Sequence, residues 1–397
     1  MSKRLILLCS ITLAISIGMI APITAAEDDR DGGIPIRTYL VAGQSNTDGY
    51  GLGYGALSYG YLDPPDDLHD IGRSDLVDPQ TQVEIFRGAY YAGNGSWQPL
   101  EPGFGIQWNG VRFGPELSFG YDAQARCGLD IRLIKYSVGG TNLAVDWDPD
   151  YTGTNQYDYF LTTVQNAIAA ADLAGETLDI IGLTWMQGES DALNYGMATA
   201  YETNLTHFVA SVRQDLGLPH LCVHVASIAD SSIWTYRQII WDAQESVAAA
   251  DPRVNVANGK DLPLFVNDGE GSAYIHYTTE GEVALGERFG ASLLSSLTVS
   301  PDPLVAGQDA TFTLTHGLPK RNAFLVYSLA GPGSTWLPRL HVFLGMTDPS
   351  LSRTGTAGSL GETDWTVPIP PAAAGLSIWM QVAQYELVSN VVATSIQ

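Results

Sequence analysis

Strand-like and helix-like stretches alternate from Ile36 to about Leu297, and this alternation limits the possible folds more than any other feature of the chain. Ile36-Arg37-Thr38-Tyr39-Leu40-Val41-Ala42 is apolar and β-branched, with no Pro or Gly, as expected of a buried strand. Asp130 to Tyr136, Leu178 to Trp185, Leu221 to Ile228 and the short Val254 to Ala257 read the same way. Between them lie helical stretches: Pro115 to about Arg126, Tyr157 to Ala174 stopped by Gly175, Ala198 to Leu216, and about Thr235 to Ala250. A last helix begins near Thr279, where Thr279 and Glu282 have capping-box spacing and Leu285, Phe289 and Leu293 form one apolar stripe. Strands alternating with helices predict an α/β fold, a parallel sheet with helices on both faces.

Two segments break the rhythm. Tyr50 to Thr81 is rich in Gly, Tyr and Asp, and Ala89 to Asn109 in Gly, Trp and Tyr. Long irregular loops in a compact domain frame a binding site or are disordered. The aromatics Tyr50, Tyr54, Tyr59, Tyr61, Tyr90, Tyr91, Trp97 and Trp108 favour an ordered cleft wall, although any one of them could simply pack a loop. At about Thr298 helical periodicity ends. Short alternating runs such as Ala310 to Leu314, Ala323 to Tyr327 and Leu376 to Val382 follow, separated by Pro and Gly turns. Residues 298–397 therefore read as a small C-terminal β-sandwich, and no catalytic cluster is visible in them.

The amino terminus reads as an export signal. Lys3-Arg4 precedes the apolar stretch Leu5 to Ile20, and Thr24-Ala25-Ala26 offers small residues for cleavage, so residues 1–26 are expected to be removed. No other window is apolar enough to span a bilayer, so a secreted or periplasmic protein without membrane insertion is expected. The 397 residues carry 43 acidic against 19 basic side chains, a net charge of −24. Such a surface repels phosphate backbones and anionic lipid, which argues against nucleic acid as a partner. Cys127 and Cys222 remain after the leader is lost. Export permits a disulfide between them, but the pairing stays open. No Cys/His spacing suggests a metal site.

The chemistry gathers where strands end. Gly43-Gln44-Ser45-Asn46 closes the first strand, Gly139-Gly140 follows the second, Gln187 follows the third, and His276 lies in a loop before the last helix. In an open α/β sheet these places converge on one crevice. A serine nucleophile needs a base for its proton and donors for the oxyanion. Ser45 is the candidate nucleophile. Gly140 offers an unshielded backbone N–H, and Gln187 a side-chain amide. His276 is the candidate base by elimination: His207 lies in a predicted helix, His220 and His224 flank or lie in a strand, His69 is in an acidic loop, and His316 and His341 belong to the C-terminal region. The sequence contains no Gly-x-Ser-x-Gly elbow, which argues against the α/β-hydrolase fold.

Four ordered blocks then resemble one superfamily. Leu40-Val41-Ala42-Gly43-Gln44-Ser45-Asn46 resembles the nucleophile block of the SGNH hydrolases, in particular their sialate O-acetylesterase and acetylxylan-esterase branch, carbohydrate esterase family 6-like. Ser137-Val138-Gly139-Gly140-Thr141 is similar to that branch's second block. Trp185-Met186-Gln187-Gly188-Glu189-Ser190-Asp191 is similar to the third, where glutamine replaces the superfamily's asparagine. Ile275-His276-Tyr277-Thr278-Thr279-Glu280-Gly281 is similar to the last. The resemblance implies a flavodoxin-like three-layer α/β/α SGNH-hydrolase domain over residues 34–297. It also implies an oxyanion hole from the amides of Ser45 and Gly140 and the side chain of Gln187, an acetylated carbohydrate as substrate, and no cofactor.

There is one departure. The branch places an aspartate three residues before the histidine, and this chain has Ala273 there. The nearby insertion Asn267-Asp268-Gly269-Glu270-Gly271 makes Asp268 the first candidate for the triad acid, with Glu270 and Glu189 behind it. A Ser–His dyad steadied by a backbone carbonyl is the alternative. A broad esterase or lipase acting on non-sugar esters, and a non-catalytic carbohydrate-binding protein on the same scaffold, remain open beside the acetylesterase reading.

Overall fold

Residues 34–53, 67–106, 111–266 and 273–397 are described by a computed structural model of the chain. The expected leader, Asp268, Glu270, Tyr54, Tyr59, Tyr61 and Trp108 lie outside the described residues. In chain order the first part holds strands β1 (Ile36–Gly43), β2 (Gly51–Leu52), β3 (Gln80–Arg87), β4 (Trp97–Leu100), β5 (Arg112–Phe113), β6 (Ile131–Ser137), β7 (Leu178–Met186), β8 (Cys222–Ala226) and β9 (Val254–Ala257). Its helices are α1 (Ser45–Asp48), α2 (Glu116–Cys127), α3 (Gln156–Leu173), α4 (Tyr195–Asp215), α5 (Arg237–Ala250) and α6 (Thr279–Ser292).

Seven of these strands form one sheet in the order β4-β3-β6-β1-β7-β8-β9. From β3 to β9 every neighbour is parallel, and β4 adds an antiparallel edge. The central strand β1 is buried along almost its whole length, as expected of a strand covered on both sides. Tyr39 packs edge-on against Phe119 of α2. Trp185, in register with Ala42 of β1, packs against Phe208 of α4. Tyr39 and Ala42 point to opposite faces of the strand, so the contacts with α2 and α4 lie on opposite sides of it.

The sequence-predicted strands and helices are found within a few residues of their expected positions. Two details differ. The segment expected to be irregular after Ala89 contributes the edge strand β4, in spite of Pro99, because an edge position tolerates a residue without an N–H. The cap of α6 is Thr278, whose side chain accepts from the Gly281 N–H, and not Thr279. The Thr279 hydroxyl accepts from the Leu52 N–H instead (2.9 Å), tying α6 to the loop beyond α1.

The C-terminal part is strand-rich. It comprises β10 (Leu294–Ser300), β11 (Asp309–Thr315), β12 (Asn322–Ser328), β13 (Pro332–Leu337), β14 (Val342–Met346), β15 (Ser350–Thr356), β16 (Thr363–Pro368), β17 (Ser377–Gln384), β18 (Leu387–Ser389) and β19 (Val392–Ser395). The main sheet runs β15-β12-β17-β18-β10-β11-β16, with β19 added on β17. Alternate residues Ala310, Phe312 and Leu314 of β11 enter a core shared with Leu325, Trp365 and Val382. β10 follows α6 directly and crosses the expected boundary at residue 298. This part meets the start of the parallel sheet. The buried Arg37 of β1 donates to the carbonyls of Gly317 and Leu360 (both 2.7 Å), and His316 lies 3.1 Å from Asp179 of β7.

Candidate active site

The carboxyl ends of β1, β6 and β7 meet at Ser45. Gly43 turns the chain there with φ +149°, and a Cβ on it would lie 2.0 Å from the Met186 carbonyl oxygen, so only glycine fits between β1 and β7. The Gln44 N–H donates to that same carbonyl (3.1 Å), and the Thr47 hydroxyl donates to it as well (2.9 Å). α1 is a single turn closed by the Gly49 N–H on the Ser45 carbonyl (2.8 Å). Ser45 stands at its first position.

Gly139 lies beside it. A Cβ on Gly139 would sit 3.4 Å from the Ser45 Cβ, whereas a Cβ on Gly140 (φ +74°) would meet nothing. The glycine pair thus leaves the space next to the serine open. Thr141 closes the turn by donating to the Val138 carbonyl (2.7 Å) and accepting from the Trp147 indole (2.9 Å).

His276 arrives from the opposite side, and Asn46 holds it there. The fully buried Asn46 amide donates to the Ile275 carbonyl (3.2 Å) and to Glu189 Oε1 (2.7 Å), and its oxygen accepts from the Tyr277 N–H (3.1 Å). The residue after the serine therefore grips the backbone on both sides of the histidine. Tyr50 stacks on the His276 ring, with centroids 3.5 Å apart and planes 9° from parallel. Gly139 thus lies beside Ser45, and the backbone on both sides of His276 is bonded to the neighbouring Asn46, while Asp268 and Glu270 fall outside the described residues.

Gln187 and Glu189 follow β7, and both are buried. The Gln187 amide nitrogen donates to Asp191 Oδ2 (2.6 Å) and to the Thr141 carbonyl (3.1 Å). Asp191 in turn accepts from the N–H groups of Leu143 and Ala144 (2.9 and 3.2 Å), so this pair braces the loop that follows the glycines. With its amide hydrogens engaged in this way, Gln187 reaches an oxyanion only by giving up one of these partners. Burial pushes the Glu189 carboxyl up to about 7, against the opposing pull of its bond from Asn46. Its position is that of a brace between β7 and α1.

A second buried network supports the serine turn from below. Lys135 of β6 is fully buried and donates to the Asp48 carbonyl (2.9 Å), the Phe104 carbonyl (2.9 Å) and Glu116 Oε2 (2.7 Å). Desolvation lowers its pKa, and Glu116 opposes that shift. The Asp48 carboxylate accepts from Arg87 (2.7 Å), the Ser137 hydroxyl (3.1 Å) and the Tyr90 hydroxyl. Every ion in the cluster has charge-assisted partners, as burial demands. Sequence reasoning missed Lys135, Glu116 and Asp48. The one signal for the first was a lysine inside the otherwise apolar run Ile131-Arg132-Leu133-Ile134-Lys135-Tyr136.

Cys127 and Cys222 are free thiols. Among the described residues no group of three or more His, Cys, Asp or Glu side chains is gathered to hold a metal ion, and no helix is long and apolar enough to cross a membrane.

A serine on the turn after the first strand, beside a glycine pair and clasped to a histidine segment, is a serine-hydrolase scaffold built without the Gly-x-Ser-x-Gly elbow. The chain belongs to the carbohydrate esterase, sialic acid-specific acetylesterase family, whose model matches residues 35–295. Over 186 residues it is 28% identical to a probable carbohydrate esterase of Arabidopsis thaliana, an alignment that takes in 46% of this chain and 64% of that protein's length. Its fold is similar to an X-ray structure of an Arabidopsis thaliana protein, with TM-score 0.50 and 20% identity, over 65% of this chain and 97% of that one. A carbohydrate acetylesterase from Xanthomonas citri aligns with TM-score 0.44 and 14% identity, over 90% of this chain and 80% of that one.

Proposed function

We propose that the chain is an exported serine esterase that removes O-acetyl groups from carbohydrate, either an acetylated polysaccharide or a sialic acid. Ser45 Oγ attacks the acetyl carbonyl as His276 takes its proton. The amides of Ser45 and Gly140, with the Gln187 side chain, receive the oxyanion. The imidazolium then returns the proton to the departing sugar oxygen, leaving an acetyl-enzyme. Water, deprotonated by His276, attacks that ester, and acetate leaves as Ser45 is restored. The balance is ester plus water to sugar alcohol plus acetate, with no cofactor. Asp268 is the first candidate to orient His276.

The observation that carries this reading is the Asn46 clasp, which binds the serine turn to the backbone on both sides of His276. Family membership supplies the substrate class. We further assign residues 34–297 to a flavodoxin-like three-layer esterase domain and 298–397 to a β-sandwich accessory domain, with residues 1–26 removed on export to the periplasm or medium.

Acetate release from a panel of acetylated polysaccharides and O-acetylated sialic acids, set against p-nitrophenyl esters of increasing acyl length, tests the assignment. Release from the acetylated carbohydrates, with activity falling as the acyl chain lengthens, is expected. A preference for long acyl chains would make the protein a broad esterase. Sugar binding without hydrolysis would make it a binding protein.

A further inference from the structure

Ala273 stands where the family pattern has an aspartate three residues before the histidine, and among the described residues the ring of Tyr50 stacks on that of His276. We infer that Tyr50 is a positioning residue for His276, holding the ring face-on in the orientation the reaction needs. The inference rests on the reading of His276 as the base.

The stacking geometry is unusual for two neutral rings. Neutral aromatic pairs prefer offset or edge-on packing to a direct face-to-face sandwich. A centroid distance of 3.5 Å with planes 9° apart is such a sandwich.

The surroundings fix Tyr50 for this role. Gly49 (φ +104°) turns the chain sharply after the serine helix, and a Cβ there would lie 2.1 Å from the Gly114 nitrogen. Tyr50 donates its N–H to Glu282 Oε1 (3.2 Å) and accepts at its carbonyl from Arg112 Nη1 (2.7 Å). The buried Arg112 guanidinium also lies 5.1 Å from the Tyr50 ring centroid and steadies the ring. Tyr50 further packs with Leu52, Ile106 and Phe265, and the Phe265 N–H donates to the His276 carbonyl (2.8 Å). The ring has little freedom to leave the histidine.

The test combines nuclear magnetic resonance with kinetics on p-nitrophenyl acetate. In the wild type the His276 ring protons, assigned by their loss in His276→Ala, are expected well upfield from the ring current of the stacked phenol. Tyr50→Leu should abolish that shift and lower kcat on the order of 10²-fold, the cost of a misplaced catalytic group, with KM changed less than about twofold. Tyr50→Phe keeps the ring and should keep both the shift and most of kcat. Unshifted His276 resonances in the wild type would overturn the inference without any Tyr50 variant. So would a folded Tyr50→Leu enzyme with wild-type kcat, or a Tyr50→Phe enzyme as slow as the leucine variant. Activity surviving in His276→Ala is a different failure, because it removes the base assignment itself.

Discussion

Replacing Asn46 with alanine removes the bonds that join the serine turn to the histidine segment. The side chain makes bonds to Glu189, to the Ile275 carbonyl and from the Tyr277 N–H, at 2.7, 3.2 and 3.1 Å, and it is fully buried. Each bond contributes about 0.5–1.5 kcal/mol, and partners left buried without a replacement cost about 1–3 kcal/mol each. Water entering the small gap recovers part of this, so the loss should be on the order of 3–5 kcal/mol. For a domain of this size that is a fall in Tm of roughly 10 °C, and it consumes much of a typical folding stability. Activity should fall further than stability alone explains. At a temperature where Asn46→Ala is fully folded, kcat should drop on the order of 10²-fold, because Ser45 and His276 are no longer held in register. Circular-dichroism melts and p-nitrophenyl acetate kinetics measure both. A Tm within about 2 °C of wild type together with unchanged kcat would refute the claim that Asn46 joins the two segments.

Three further outcomes follow from single groups. The raised Glu189 carboxyl binds its proton more tightly folded than unfolded, so its own contribution to stability is full below about pH 4.5 and is lost as pH rises toward 7, by roughly 3 kcal/mol. Glu189→Gln should flatten the pH dependence of Tm in that window, and an unchanged slope would count against the assignment. Arg37→Met should lower stability on the order of 2–4 kcal/mol by removing the bonds to Gly317 and Leu360, yet leave kcat on a small ester unchanged, since six residues of β1 put it about 20 Å from Ser45. A matching loss of kcat would mean that the C-terminal region helps build the site. Asp268→Asn should reduce kcat on the order of 10⁴-fold if that residue orients His276, and kcat within a few-fold of wild type would leave the dyad.

The parallel sheet was legible because buried strands declare themselves as apolar runs, and because the residues at or just beyond the ends of β1, β6 and β7 include the glycines and polar side chains that a crevice needs. Those three ends, with the His276 loop before α6, also formed the four recognisable blocks. What stayed hidden depends on pairing across the fold. Lys135 reads as a surface residue until Glu116, Asp48 and Phe104 are brought around it by helix, turn and loop. Asn46 was visible as part of a block, but its partners lie more than a hundred residues away, in the loops of Glu189 and His276. Tyr50 was one aromatic among several in a segment without periodicity, and only the turn at Gly49 directs it to His276. The cap of α6 falls one residue before the position expected because Thr278 and Thr279 are adjacent, and the N–H of Leu52 in β2 engages the Thr279 hydroxyl.

The central claim is that Ser45 is the nucleophile of an acetylesterase. A serine-directed fluorophosphonate, followed by intact-mass and peptide analysis, tests it most directly when run beside acetate release. The account predicts one adduct, located on Ser45, whose formation abolishes acetate release, and neither adduct nor turnover in a folded Ser45→Ala protein. Labelling at another serine, or undiminished acetate release by Ser45→Ala, would contradict it.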